Sequence, residues 1–327
     1  MAKVLITTVP FGDKNRLPLE LLEAAGIEYL INPLGRKLME DELAELVSDF
    51  DVIIAGTERI SEKVMTRASR LKLISRVGIG LDSVDLLVAE RKGIQVSYTP
   101  DAPAPAVAEL TLGLMLSLLR SIHVANTEIH RGDWQRHFGR RIPETTIGII
   151  GAGRIGGRVL RRLSAFGSPR VLVNDIHPNP TVTKDLKLEW VGKDEIYRQA
   201  DLISLHLPLT VQTKNMIRRQ ELLAMKRDAL IVNTSRGGII NEHDLATVLK
   251  SGHLGGAAID VFEQEPYSGE LVGIDRCLLT SHMGSMSIDC RTRMEIEATE
   301  EAVRFLNGEG LLGVVPKAEY EVQRQGL

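Results

Sequence analysis

The chain has 327 residues, enough for about two domains at roughly 150 residues each. Apolar residues make up 43% and charged residues 25%, which supplies two buried cores and excludes a chain disordered throughout. The net charge is −3 with no long Lys/Arg run, so no basic face is expected for nucleic acid. Two cysteines, Cys277 and Cys290, cannot build a disulfide framework or a cysteine-rich metal site, which suits a reducing compartment.

Residues 1–6 carry one Lys and a short apolar run, below the ~7–15 apolar residues of a secretory signal. The most apolar stretch, 106–119, contains Glu109 and is too short and too polar to span a bilayer. The expectation is a cytoplasmic protein with no membrane partner.

Short apolar runs alternate with helical patterns. Residues 4–7 read as a strand, 18–25 as a helix stopped by Gly26, 41–47 as a helix and 52–55 as a strand. Ser61 suits the cap of a helix through residue 69. A strand near 73–75, a helix over 84–91 stopped by Gly93, and a strand over 95–98 follow. Residues 99–105 hold three prolines, which resist helix and ladder alike and suit a crossing between domains. A long helix is expected over 106–120. A second series has strands at 147–150, 171–173, 202–205, 230–232, 257–259 and 278–279, with helical patterns between. A last helix runs over 288–306, stopped by Asn307-Gly308. This alternation predicts an α/β protein with parallel sheets built from βαβ units.

The sharpest local motif is Gly151-Ala152-Gly153-Arg154-Ile155-Gly156, between a strand and an amphipathic helix. In that context one glycine allows a tight turn, one lets a pyrophosphate approach the backbone, and one lets helix and strand pack closely. The helix N-terminus offers N–H groups and partial positive charge to the phosphates. Nineteen residues after Gly156, at the end of the next strand, stands Asp175. An acidic side chain there can bind both ribose hydroxyls and would repel a 2′-phosphate, which points to NAD rather than NADP.

Three further segments carry a resemblance: Asn233-Thr234-Ser235-Arg236-Gly237-Gly238, Asp260-Val261-Phe262-Glu263-Gln264-Glu265-Pro266 and Ser281-His282-Met283-Gly284. With Val77-Gly78-Ile79-Gly80-Leu81-Asp82, Val107-Ala108-Glu109 and His206-Leu207-Pro208-Leu209-Thr210, they resemble the D-2-hydroxyacid dehydrogenases, above all the phosphoglycerate dehydrogenase-like branch. The matching segments span about residues 73–288 in the family's order. The resemblance implies two Rossmann-like doubly wound domains, with the dinucleotide-binding domain inserted into the substrate domain. The expected boundaries are 1–99 and 288–327 for the substrate domain and 100–287 for the dinucleotide domain. It implies an NAD-dependent oxidoreductase moving a hydride between nicotinamide and a D-2-hydroxy acid/2-oxo acid, 3-phosphoglycerate first, glyoxylate or hydroxypyruvate next. It also implies that Arg236, Glu265 and His282 form the catalytic set.

The residue types suit that chemistry. Arg236 offers a fork of donors to a carboxylate and an oxo group. His282 is an acid/base for neutral pH. Glu265 would hold the imidazole and favour its charged form. Glu263 competes with Glu265, and the family pattern favours the residue just before the proline. By the same resemblance Val77 and Gly78 hold the substrate carboxylate, and Asp260 lies near the nicotinamide carboxamide. Pro208, Thr210 and Thr234 are expected along the cofactor with Arg154 and Ile155. Arg76 adjoins the carboxylate loop and is read either as a contact to a second anionic group or as a surface residue.

Ser281 stands where the family usually has proline, and the 17 positions from Glu265 to His282 are fewer than in many members. The end at Leu327 leads to the expectation that the extra regulatory domain of some phosphoglycerate dehydrogenases is absent. Other readings are an NAD-sensing corepressor-like protein and a same-fold dehydrogenase for phosphite. The Glu265–His282 pair argues against a formate type. No metal site is expected: His123, His130 and His137 recur every seven residues and read as one helix face. The helix 106–120 is apolar nearly all round and needs more cover than one small domain gives. With the family resemblance, that predicts a homodimer.

Overall fold

The computed structural model describes residues 2–184 and 186–325. The chain divides into two compact units, Met1–Pro103 with Met286–Leu327, and Ala104–Ser285.

In the first unit the elements run β1 (Lys3–Ile6), α1 (Leu17–Ala24), β2 (Glu28–Ile31), α2 (Glu40–Leu46), β3 (Val52–Ala55), α3 (Glu62–Arg67), β4 (Leu73–Arg76), α4 (Leu86–Arg91) and β5 (Gln95–Tyr98). The five strands are parallel in the order β2-β1-β3-β4-β5. Strands buried on both faces need helices on both faces, and continuous apolar runs such as Val52–Ala55 supply that burial. Across the register Leu5, Ile53, Ile74 and Val96 form one row of the core. Local chemistry sets the helix starts. Ser61 accepts from Lys63 N–H at 3.2 Å and Asp85 from Val88 N–H at 2.9 Å. The helix expected from residue 84 therefore starts at Leu86, one residue past its cap.

The second unit holds α5 (Ala104–Leu119), α6 (Ile122–His130), β6 (Thr146–Ile150), α7 (Arg154–Leu163), β7 (Arg170–Asn174), β8 (Leu188–Trp190), α8 (Lys193–Gln199), β9 (Leu202–Leu205), α9 (Arg219–Ala224), β10 (Leu230–Asn233), α10 (Glu242–Lys250), β11 (Gly256–Ile259) and β12 (Cys277–Leu279). Its seven parallel strands lie in the order β12-β11-β10-β9-β6-β7-β8. Strand order reverses between β6 and β9. In open parallel sheets ligands bind at the carboxyl ends of the strands flanking such a switch. Gly148 lies in β6 because α8 packs there; a Cβ would stand 2.4 Å from Ile196.

The chain then returns to the first unit with α11 (Ile288–Leu306) and α12 (Lys317–Arg324). Ser75 Oγ donates to Ala298 O at 2.8 Å, and Ser97 Oγ donates to Ser75 Oγ at 3.1 Å. Small hydroxyl residues on β4 and β5 thus let α11 lie close on the sheet. Gln323 joins α12 to α4, accepting from Leu86 N–H at 2.8 Å.

Four elements lie outside the sequence expectations, and α12, beyond the last helix expected at 288–306, is one of them. β2 is half-exposed, so it lacks the apolar run that marks an inner strand. β8 is a short edge strand. α6 ends at His130 with Gly132 at φ 92°, so His137 is not on the helix face expected for His123, His130 and His137; it bonds Glu128 at 2.6 Å. Among the described residues no group of three or more His, Cys, Asp or Glu could hold a metal ion. Among them, too, no single helix is long and apolar enough to cross a membrane. α5 and α6 reach that length only together, bent by 65°.

Candidate active site

The glycine loop joins β6 to α7 at the switch point, and its three glycines answer to different neighbours. Gly151 has φ 94°, and a Cβ there would stand 2.2 Å from His206 O. A Cβ on Gly156 would stand 1.9 Å from Gly151 O. Around Gly153 a Cβ would meet nothing within 4 Å. The outer two glycines thus let the loop close on itself and on the end of β9, while the middle one faces open space where a phosphate can approach the N-terminus of α7. Arg154 is exposed and Ile155 half-buried in the first turn of that helix. Asp175, just past β7, straps the loop: its Oδ2 accepts from Ala152 N–H at 2.6 Å and its Oδ1 from His177 N–H at 2.8 Å. This arrangement fits a dinucleotide.

Beneath the loop lies the His206 ring. Its Nε2 pairs with Ser204 Oγ at 3.0 Å, while Nδ1 is buried without a hydrogen-bond partner. Burial pulls its pKa down to about 3, so the ring is neutral. Pro208 and Thr210 follow in the turn after β9. There Thr213 Oγ1 donates to Pro208 O at 2.7 Å and accepts from Thr210 N–H at 2.7 Å.

Arg236, Glu265 and His282 stand in three loops after β10, β11 and β12. His282 Nδ1 lies 3.0 and 2.9 Å from the two Glu265 oxygens. The side chains are 37% and 25% exposed, so the pair is reachable yet partly shielded. With Nδ1 committed to Glu265, Nε2 is the nitrogen that can meet a substrate. Glu263, the competing acid, is exposed and touches Gly238 instead, with Oε1 3.7 Å from the Cβ position of that glycine.

Backbone packing holds the loops together. Gly237 lies so close to the Phe262 carbonyl that a Cβ would stand 2.0 Å from its carbon. Asn233 shapes the Arg236 loop, accepting from Ser235 N–H at 3.1 Å and donating to Arg236 O at 2.8 Å. Arg236 itself is half-buried and donates to Ser235 O at 2.7 Å. Thr234 is buried 2.8 Å from the Thr111 hydroxyl on α5.

Asp260 is 1% exposed and turned to the His282 loop. Its Oδ1 accepts from Thr280 Oγ1 at 2.6 Å and Met283 N–H at 2.9 Å, and its Oδ2 from Gly284 N–H at 3.0 Å. Its carbonyl accepts from His282 N–H at 2.8 Å, which fixes His282 at φ 50°. In this structure Asp260 is the anchor of the His282 loop, a part that family resemblance did not suggest for it.

In the first unit, Val77 is buried and Gly78 has φ 141°. Their amides are engaged: Val77 N–H donates to Ala55 O at 2.9 Å and Gly78 N–H to Thr99 Oγ1 at 2.8 Å. An incoming carboxylate would have to take the Gly78 amide from Thr99. Arg76 is 4% exposed, which corrects the surface reading. Its guanidinium donates to Gly80 O at 3.0 and 2.9 Å, to Ala55 O at 3.0 Å and to Gly56 O. It pins the loop from within.

Residues 112–284 match the family model of the D-isomer specific 2-hydroxyacid dehydrogenase, NAD binding domain. The chain is 37% identical over 276 residues to a hydroxypyruvate reductase of Thermotoga maritima, covering 82% of this chain and 89% of that protein. It is 36% identical to a D-3-phosphoglycerate dehydrogenase of Methanocaldococcus jannaschii, covering 94% of this chain but 58% of that protein. The crystal structure of the TT0316 protein from Thermus thermophilus superposes with a TM-score of 0.88 at 34% identity, over 96% of this chain and 100% of that one.

Proposed function

The chain belongs to the D-isomer specific 2-hydroxyacid dehydrogenases, and from that premise we propose that it reduces a small, unphosphorylated 2-oxo acid such as hydroxypyruvate or glyoxylate. NAD is the cofactor, and when bound it supplies or accepts the hydride. The observation that carries the reading is the His282–Glu265 pair at 2.9 Å, beside the Arg236 loop at the carboxyl edge of a dinucleotide-type sheet.

In this reading Arg236 pairs with the substrate carboxylate and steadies the oxo group. His282 Nε2 gives its proton to the oxygen as the carbonyl becomes an alcohol, and takes it back in the reverse direction. Glu265 fixes the ring by its grip on Nδ1. Gly151, Gly153, Arg154, Ile155 and Gly156 take the pyrophosphate, and Asp175 the ribose. Pro208, Thr210 and Thr234 border the cofactor. The loop at Val77 and Gly78 is assigned to the substrate carboxylate.

One observation favours an unphosphorylated substrate. The Arg76 guanidinium donates to the carbonyls of Ala55, Gly56 and Gly80. A homodimer is supported by apolar side chains exposed on and after α6: Ile122 53%, Ile129 48%, Trp134 80% and Phe138 106%. A cytoplasmic setting suits the two buried free thiols, Cys277 and Cys290.

The test is a panel of hydroxypyruvate, glyoxylate and 3-phosphohydroxypyruvate with NADH, followed by nicotinamide absorbance. The first two should exceed the third by at least ~10-fold in kcat/KM, about 1.4 kcal/mol. His282→Ala should lose ~10²–10⁴-fold in kcat with NADH affinity kept. Preference for the phosphorylated acid would overturn the substrate assignment. Full activity in His282→Ala would overturn the mechanism.

A further inference from the structure

Glu242 opens α10, and in the sequence it looks like any first-turn glutamate. Its Oε1 accepts from Glu263 N–H at 2.7 Å. Glu263 belongs to the turn 262–266 that carries Glu265. From inside, that turn is held by Phe262 N–H donating to Glu265 Oε1 at 3.1 Å. It is also held by the Phe262 and Tyr267 rings, stacked with centroids 4.1 Å apart. Glu242 grips the turn from a separate helix. Burial, with the nearby charges of Glu263 and Glu265, raises its pKa above the ordinary carboxylate value, and the bond from the Glu263 amide opposes that rise.

Half-buried Glu242 also borders a surface hollow of about 240 Å³ with Pro266 and Tyr267. Water can therefore replace a shortened side chain, and the core is not breached.

We propose that Glu242 is a positioning residue for the reduction: by holding the Glu263 amide it sets where Glu265 presents its carboxylate to His282 Nδ1. The proposal rests on the reading of Glu265 and His282 as the reactive pair. Glu242 touches neither substrate nor cofactor and acts through the turn alone. Its removal should therefore lower kcat and spare NADH binding, while a neutral side chain with the same acceptor should restore function.

The experiment measures kcat with hydroxypyruvate, KM for NADH and thermal unfolding in Glu242→Ala, Glu242→Asp, Glu242→Gln and Glu265→Gln. Glu242→Ala and Glu242→Asp should lose about 10-fold in kcat, since a displaced reacting group costs rate steeply. KM for NADH should stay within about 2-fold, and Glu242→Gln should recover near-normal kcat, because it keeps the acceptor oxygen. The Asp variant keeps the charge but draws the acceptor back by one methylene, so it reads position even if the Ala variant folds poorly. Normal kcat in both shortened variants, with Glu265→Gln inactive, would overturn the positioning role and leave the reactive pair standing. A Gln variant as slow as Ala would also overturn it. Full activity in Glu265→Gln would overturn the pair and the proposal together.

Discussion

Val77-Gly78-Ile79-Gly80 follows β4 in the first unit, and Gly151-Ala152-Gly153 follows β6 in the second. Both place a Gly-x-Gly step at the carboxyl end of a parallel strand. Their surroundings part them. The second loop runs straight into α7, so its middle glycine faces open space above a helix N-terminus. The first loop runs into no such helix, and its amides and carbonyls are tied to Thr99, Ala55 and Arg76. The same spelling therefore gives an open loop at a helix N-terminus in one unit and a pinned loop in the other. The chemistry of a glycine motif is decided by the element that comes after it and by the side chains packed beneath it.

The strongest way to break this comparison is Gly156→Ala. Its Cβ would stand 1.9 Å from a backbone oxygen, so the loop must open. NADH affinity should fall by at least ~10²-fold, about 2.7 kcal/mol, in a fluorescence titration. Normal affinity would show that the loop is not a cradle.

Arg76→Met probes the other loop. It strips donors from the carbonyls of Ala55, Gly56 and Gly80; Ala55 O keeps its bond from Val77 N–H, and each buried acceptor left unmet costs about 1–3 kcal/mol. Denaturant unfolding should show a loss of about 3 kcal/mol, with KM for the 2-oxo acid raised and NADH affinity unchanged. A loss of NADH affinity alone would reverse the assignment of the two loops.

Acid should tell the units apart through His206. Its folded pKa of about 3 lies below the ordinary 6.5, so the unfolded chain takes up the proton first. Its contribution is intact above pH 6.5 and is lost as pH falls toward 3, at up to about 1.4 kcal/mol per pH unit. His206→Asn should flatten that slope in equilibrium unfolding. An unchanged slope would mean that the ring is not held neutral beneath the loop.

Gly153→Ala should have the smallest effect. Nothing lies within 4 Å of the new Cβ, so stability should hold to about 0.5 kcal/mol. The added methyl enters the space assigned to phosphate, so NADH should weaken by about 10-fold. Unaltered binding would sharpen the map by moving the phosphate away from this residue.

Much of this was legible in the sequence. Inner strands announce themselves as apolar runs, and β6 with its glycines was readable residue by residue. The half-exposed β2 was not, because edge strands alternate weakly. Arg236, Glu265 and His282 were legible through motifs, and the structure adds the 2.9 Å approach of Glu265 to His282. Glu242 and the anchoring bonds of Asp260 were hidden for one reason: both act on backbone amides from another element, and no local spacing records such a bond.

The division of the first unit between the two ends of the chain bears on its birth at the ribosome. Ser75 bonds to Ala298 across 223 residues, and Gly12 N–H to Glu295 across 283. The sheet face that α11 covers stays open while all of 104–285 is made, during which the second unit has its full set of strands and can close first. At about 5–20 residues per second, that leaves apolar surface waiting for on the order of 10–40 seconds. Such a nascent chain is a natural client for a holdase chaperone, and its vulnerability is greatest just before α11 emerges.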